Sequence, residues 1–200
     1  MTKFRPVHVI AEETLLDGKE VLRVTKGEEK RMRFDENTYA RLIGSDFHDG
    51  IIEVKMLSRL LPDAPDFSRG FIGVVFRANE GDSEFESFYV RPTNALTDDP
   101  VRKAHGCQYF SYPGYTFAYF REYGIEGYEA PVACGLNEWI DLKAIVHGNC
   151  AEFYLNGALA LSVRDLKHGA NARGGVGLFV DIGTEGFFRD LRISSAESHG

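Results

Sequence analysis

Two closely spaced two-residue turns, Gly148-Asn149 and Asn156-Gly157, restrict the fold of this chain more than any other feature; they lie in the run WIDLKAIVHGNCAEFYLNGALALSV. Gly and Asn enter the left-handed backbone region that tight hairpins need, so each pair reverses the chain at once. The residues between them, 139–147, 150–155 and 158–163, are dense in Val, Ile, Leu, Phe, Tyr and Trp. They read as a three-stranded antiparallel meander. A sheet begun this way is completed by further antiparallel strands, because parallel pairing would need long crossovers.

Such strands recur upstream. Residues 20–25 follow the turn-like Asp17-Gly18, residues 39–43 form a short run, and after Asp49-Gly50 the apolar Ile52, Val54 and Met56 alternate with Glu53, Lys55 and Leu57. That is the period of a strand buried on one face. Pro62 and Pro65 close it. Residues 70–78 are apolar almost throughout until Arg77, which predicts a central strand covered on both sides, with Arg77 on the face of Gly73. In residues 85–91, Phe85, Ser87, Tyr89 and Arg91 share one face, expected to meet a ligand, and Glu86, Phe88 and Val90 share the other, expected in the core.

Residues 92–106 form a polar loop in which Asp98 to Lys103 can make one helical turn, with Pro100 at an early position and an aspartate as cap. Residues 107–112 and 115–121 then read as strands around Pro113-Gly114, residues 122–136 as a Gly-rich surface loop, and residues 176–181 and 186–193 as the last strands. Residues 1–35 carry only a thin hydrophobic signal, and SSAESHG at the end reads as frayed. The sum is about eleven to thirteen short strands with no long helix, which predicts an all-β antiparallel two-sheet sandwich. At 200 residues the chain is expected to be one domain.

The net charge of -7 argues against nucleic acid as a partner, since phosphate neutralisation needs a basic stripe and KGEEKRMR is broken by two glutamates. Cys107, Cys134 and Cys150 form no C-x-x-C pair and fit small buried thiols in a reduced protein. The opening MTKFRPVHVIAEE has no apolar leader and no run reaches membrane-spanning length. The expectations are therefore no membrane and a cytoplasmic setting.

Several segments carry a resemblance. Trp139 to Lys143, the Tyr-x-Asn-Gly hairpin ending at Gly157, Gly174 to Leu178 and Phe188 to Ile193, with GVVFRAN and FYVRP upstream, resemble the concanavalin A-like lectin/glucanase superfamily, in its laminin-G-like and 3-keto-glycoside-hydrolase-like branches. The resemblance implies a β-jelly roll whose concave sheet binds carbohydrate in many members. It does not imply catalysis, because the E-x-D-x-x-E strand of the glucanase branch is missing: Glu84, Glu86 and Asp141 have the wrong spacing.

Sugars are held by rings stacked on their C–H faces and by donors and acceptors for their hydroxyls. Arg77, Tyr89, Arg91 and Tyr109 supply those types on neighbouring strands, and Asn94, Arg102, His105 and Gln108 could form a rim. Against this stands the ordinary reading of the tyrosines as sandwich aromatics and the arginines as ion-pair partners. Arg91→Ala is expected to abolish binding without unfolding the chain if Arg91 is a ligand contact. Asp98, Asp99 and His105 are the catalytic candidates, with Asp98 and Asp99 alternatively a cap or ligands to Ca²⁺; no other cofactor is indicated. Trp139 reads as packing. The expected function is binding of a carbohydrate or related polyhydroxylated ligand. A glycoside hydrolase or polysaccharide lyase is the first alternative, and an interaction module presenting residues 109–123 to another protein or a second copy of the chain is the other.

Overall fold

Fourteen strands pair into two seven-stranded antiparallel sheets in the computed structural model, which describes residues 3–196. Sheet I runs in the order β1 (Phe4–Val7), β4 (Tyr39–Leu42), β13 (Gly175–Val180), β6 (Ile72–Ala78), β7 (Phe85–Val90), β8 (Cys107–Tyr112), β9 (Glu129–Ala130). Sheet II runs β12 (Ala158–Val163), β11 (Cys150–Leu155), β10 (Trp139–His147), β5 (Gly50–Leu60), β14 (Thr184–Ser195), β3 (Lys19–Lys26), β2 (Val9–Leu16). The helices α1 (Pro92–Ala95), α2 (Pro100–Ala104) and α3 (Phe117–Glu122) are short. No helix among the described residues is long and apolar enough to cross a membrane.

The meander has its expected register: His147 pairs with Cys150 and Leu155 with Ala158, so both turns span two residues. Ile52, Val54 and Met56 of β5 face Ile72, Val74 and Phe76 of β6 across a continuous apolar core. At its centre the Phe88 and Phe153 rings stack at 4.3 Å, joining the sheets. Each such ring removed from water contributes about 1.5–3 kcal/mol.

A two-layer sandwich should leave the other face of each sheet wet, yet in sheet I that face is buried as well. Tyr39, Val75, Phe85, Tyr89, Phe110 and Phe179 form a second apolar cluster there. The cover is a roof made by residues 27–38, between β3 and β4, together with α3. Phe34 of the roof meets Phe71 at 5.7 Å and Phe117 of α3 at 5.4 Å.

Several expectations are corrected. Residues 115–121 are not a strand: after the Ser111 to Tyr115 bridge the chain leaves the sheet and turns into α3. Phe117 then meets Phe34 of the roof, and Phe120 joins the core. Residues 122–136 contain β9. The N-terminal strands were faint because β2 is an edge strand with mostly exposed side chains. The C-terminal fraying is displaced by β14, which reaches Ser195; residues 197–200 lie outside the described residues. Cys107 and Cys134 are buried, and burial pushes both thiols up to about 12, but Cys150 is exposed.

Arg77 does not share the face of Tyr89. It sits at φ 53 beside a register shift between β6 and β13, and this bulge turns it toward Glu86, 3.6 Å away on the core side. Gly73 does not leave room for a ligand either: a Cβ there would lie 2.0 Å from the Phe88 carbonyl oxygen, so the glycine admits the backbone of β7.

Candidate functional site

The site is built where β7 leaves sheet I. Arg91 follows the strand, its N–H bonded to the Gly106 carbonyl, and its side chain folds back over the sheet. Nη2 donates to Tyr89 Oη (3.0 Å) and Gln108 Oε1 (3.2 Å), and Nη1 donates to the His105 carbonyl and Glu129 Oε1 (3.1 Å each). Burial opposes the Arg91 charge, but Tyr89, Glu129 and Asp35 together outweigh it and hold the pKa above its ordinary value. Arg91 is 4% exposed, so it organises its surroundings instead of meeting solvent.

A polar chain continues from it beneath the roof. Tyr89 Oη donates to Asp35 Oδ1 (2.9 Å), Asp35 Oδ2 accepts the Phe117 N–H (2.9 Å), the Asp35 N–H donates to Asp181 Oδ2 (2.9 Å), and Lys26 Nζ reaches Asp181 Oδ1 (2.5 Å). Burial, reinforced by the Asp181 carboxylate, pushes Asp35 up to about 7. Burial likewise lifts the Tyr89 hydroxyl well above its usual range, so it stays a protonated donor.

On the open side, Glu129 of β9 gathers two guanidinium groups and an imidazole: Arg91, Arg121 (2.9 Å) and His105, whose Nε2 lies 3.1 Å from Glu129 Oε2. Burial lowers the His105 pKa, and Arg121 and Arg91 add to that against the pull of Glu129. The neutral form of the half-buried His105 is thereby favoured. Asn94 of α1 donates to the His105 carbonyl (2.9 Å) and accepts Arg102 Nε (3.1 Å). Beside this set lies an aromatic patch in which Phe34, 36% exposed, and Phe67, 40% exposed, pack at 5.5 Å, while the Arg121 guanidinium lies 4.9 Å over the Phe117 ring. Flat apolar rings beside fixed hydrogen-bonding groups can hold a polyhydroxylated ring.

Of the residues expected at the site, Tyr89, Arg91, Asn94, Arg102, His105 and Gln108 join one hydrogen-bonded cluster, but only Arg102 and His105 present side chains to solvent. Tyr109 is on the core side, donating to Glu86 Oε1 (3.0 Å). Arg77 clasps the loops at His48, Gly148 and Gly169 through their carbonyls. Asp99 caps α2, accepting from Val101 N–H (2.9 Å), and Asp98 is exposed nearby. Trp139 packs under Arg189, 4.4 Å from its guanidinium. Among the described residues no three His, Cys, Asp or Glu side chains are grouped to hold a metal. Phe34, Asp35, Phe67, Arg69, Phe117, Arg121 and Glu129 were missed. For Phe34, Asp35, Phe67 and Arg69 the only signal was the FDEN and FSRG segments, where an apolar ring interrupts a polar run.

Three depressions lie elsewhere. One of about 850 Å³, lined by Phe4, Leu15, Leu22 and Phe188, opens at the opposite edge of sheet I, one of about 470 Å³ lies over Lys55, Asp141 and Tyr154 of sheet II, and one of about 250 Å³ lies beside Met32 and Pro65.

No family model and no curated protein matches the chain. Among solved structures it is similar to the carbohydrate binding module CBM66 from Bacillus subtilis, at 16% identity over 98% of this chain and 97% of that one, with a TM-score of 0.64. It is also similar to a protein of unknown function with a galectin-like fold from Bacillus subtilis, at 13% identity over 95% of this chain and 88% of that one, with a TM-score of 0.56. At these identities the likeness is one of fold, a two-sheet antiparallel jelly-roll sandwich.

Proposed function

We propose that the chain binds a saccharide at the rim where β7, α1, α2 and the roof meet. The observation that carries this reading is the half-exposed patch of Phe34, Phe67 and Phe117 set beside Arg102, His105 and Glu129, whose positions are fixed by the buried Arg91 and Asn94. The rings supply stacking surface and the polar groups supply hydroxyl partners. A carbohydrate binding module of the same fold along its whole length supports the reading, although fold alone hosts many functions.

The test is a thermal-shift panel of soluble oligosaccharides, run with and without Ca²⁺ and a chelator, because a ligand of the native state raises its apparent stability. Phe67→Ala is expected to abolish the shift given by any hit while leaving the unliganded protein folded, since Phe67 is 40% exposed. Unaltered binding in that variant contradicts the placement. No shift with any sugar moves the reading to an interaction module. Bond cleavage is the second reading, favoured by the 3.1 Å approach of His105 to Glu129. Chromatography of a bound oligosaccharide after long incubation tests it, and loss of products in His105→Gln with binding retained is the expected sign.

A further inference from the structure

Arg69 and Arg102 stand together at the outer end of this rim, and neither has a carboxylate at ion-pair distance among the described residues. Thr93 of α1 ties them: its N–H donates to the Arg69 carbonyl (3.2 Å), and its Oγ1 accepts Arg102 Nη2 (3.3 Å). Arg69 Nη1 donates only to the carbonyls of Asp66 (2.8 Å) and Ser68 (3.0 Å). Arg102 Nε donates to the neutral Asn94. Both arginines are half-buried, and Asn94 joins Arg102 to the Arg91 network.

The nearby carboxylates do not offset this pair. Glu129 is engaged by Arg91, Arg121 and His105, Asp99 caps α2, and Asp66 and Asp98 are exposed. Burial and then the charges of Arg102 and Arg91 pull the Arg69 pKa down, the signature of crowded like charges. In a chain of net charge -7, two guanidinium groups without a carboxylate partner, on residues that Thr93 joins, are a local reversal of sign. A guanidinium fork matches a carboxylate in two parallel hydrogen bonds, a match a neutral hydroxyl cannot make.

Building on the proposed saccharide site, we infer that its ligand is an acidic sugar, whose ring carboxylate docks against Arg69 and Arg102 while the ring lies on Phe67 and Phe34. The test titrates the whole chain with oligouronides, built from galacturonate, glucuronate or mannuronate, and with the same oligomers after reduction of their carboxyl groups to neutral alcohols. The acid form is expected to bind at least roughly tenfold more tightly at low salt, and Arg69→Gln and Arg102→Gln each to remove roughly that factor. Because neither arginine has a carboxylate partner, both variants should keep or slightly raise the unliganded melting temperature. Equal binding of acid and reduced oligomers, or an acid preference that survives both substitutions, overturns the inference and leaves the saccharide site standing. Absence of binding by every oligomer, acid or neutral, counts instead against the saccharide reading itself.

Discussion

Arg91 shows how a ligand-type residue can be structural. Its guanidinium makes four side-chain hydrogen bonds while almost wholly buried, so Arg91→Ala would leave Glu129 and Tyr89 facing a void. Breaking a buried ion pair from one side costs about 3–5 kcal/mol. Denaturant unfolding should show a loss of that order, and a midpoint equal to the wild type contradicts the organising role. This replaces the expectation that Arg91→Ala would only abolish binding. Asp35 makes a second residue-scale prediction. A carboxyl whose pKa rises from 3.8 unfolded to about 7 folded binds its proton more readily in the native state, so its contribution to stability is complete below about pH 4 and is lost as pH climbs toward 7. Glu86, also raised by burial, acts in the same direction, while His105, lowered, opposes both. Asp35→Asn mimics the neutral acid and leaves the other two unchanged. The variant should therefore gain stability relative to wild type between pH 4 and pH 7, and parallel pH profiles would sink the assignment.

At the scale of elements, the strands were legible and the roof was not. The Gly148-Asn149 and Asn156-Gly157 hairpins are local, and a turn residue with flanking β-branched residues announces itself within a few positions. The Asp99 cap of α2 is local too. Asp35, by contrast, has partners 54 residues away at Tyr89, 82 at Phe117 and 146 at Asp181, so nothing in its own neighbourhood marks it as buried. Arg77 was placed on the wrong face because a bulge breaks the period of two, and no side-chain pattern reports a bulge. The roof depends on aromatic contacts across α3. Phe117→Ala should raise amide exchange in residues 33–38 and 117–122 while leaving sheet II protected. Gly73→Ala acts on β6 itself: with the new Cβ 2.0 Å from the Phe88 carbonyl, strands β6 and β7 cannot keep their spacing. Poor folding or a stability loss of roughly several kcal/mol is expected, and a normal melting curve would contradict the geometry.

For the molecule as a whole, sheet I is buried on both faces, and this sets where a ligand can bind. Its centre is closed by the roof, which leaves the margin beyond β7, where α1, α2 and α3 supply side chains from loops. The fold could be read in the sequence because hydrophobic period and turns encode it throughout. The site could be read only as a stretch, residues 89–108, since most of its solvent-facing groups arrive from residues 34, 67, 69, 117, 121 and 129. An NMR titration of the isotope-labelled chain with an oligosaccharide mixture tests the central claim most directly. Amide shifts concentrated at residues 34–35, 67–69, 93–94, 102–105 and 117 are the predicted result. Shifts confined to the cavity beside Phe4 and Leu22, or to the Lys55 and Asp141 face of sheet II, would contradict it.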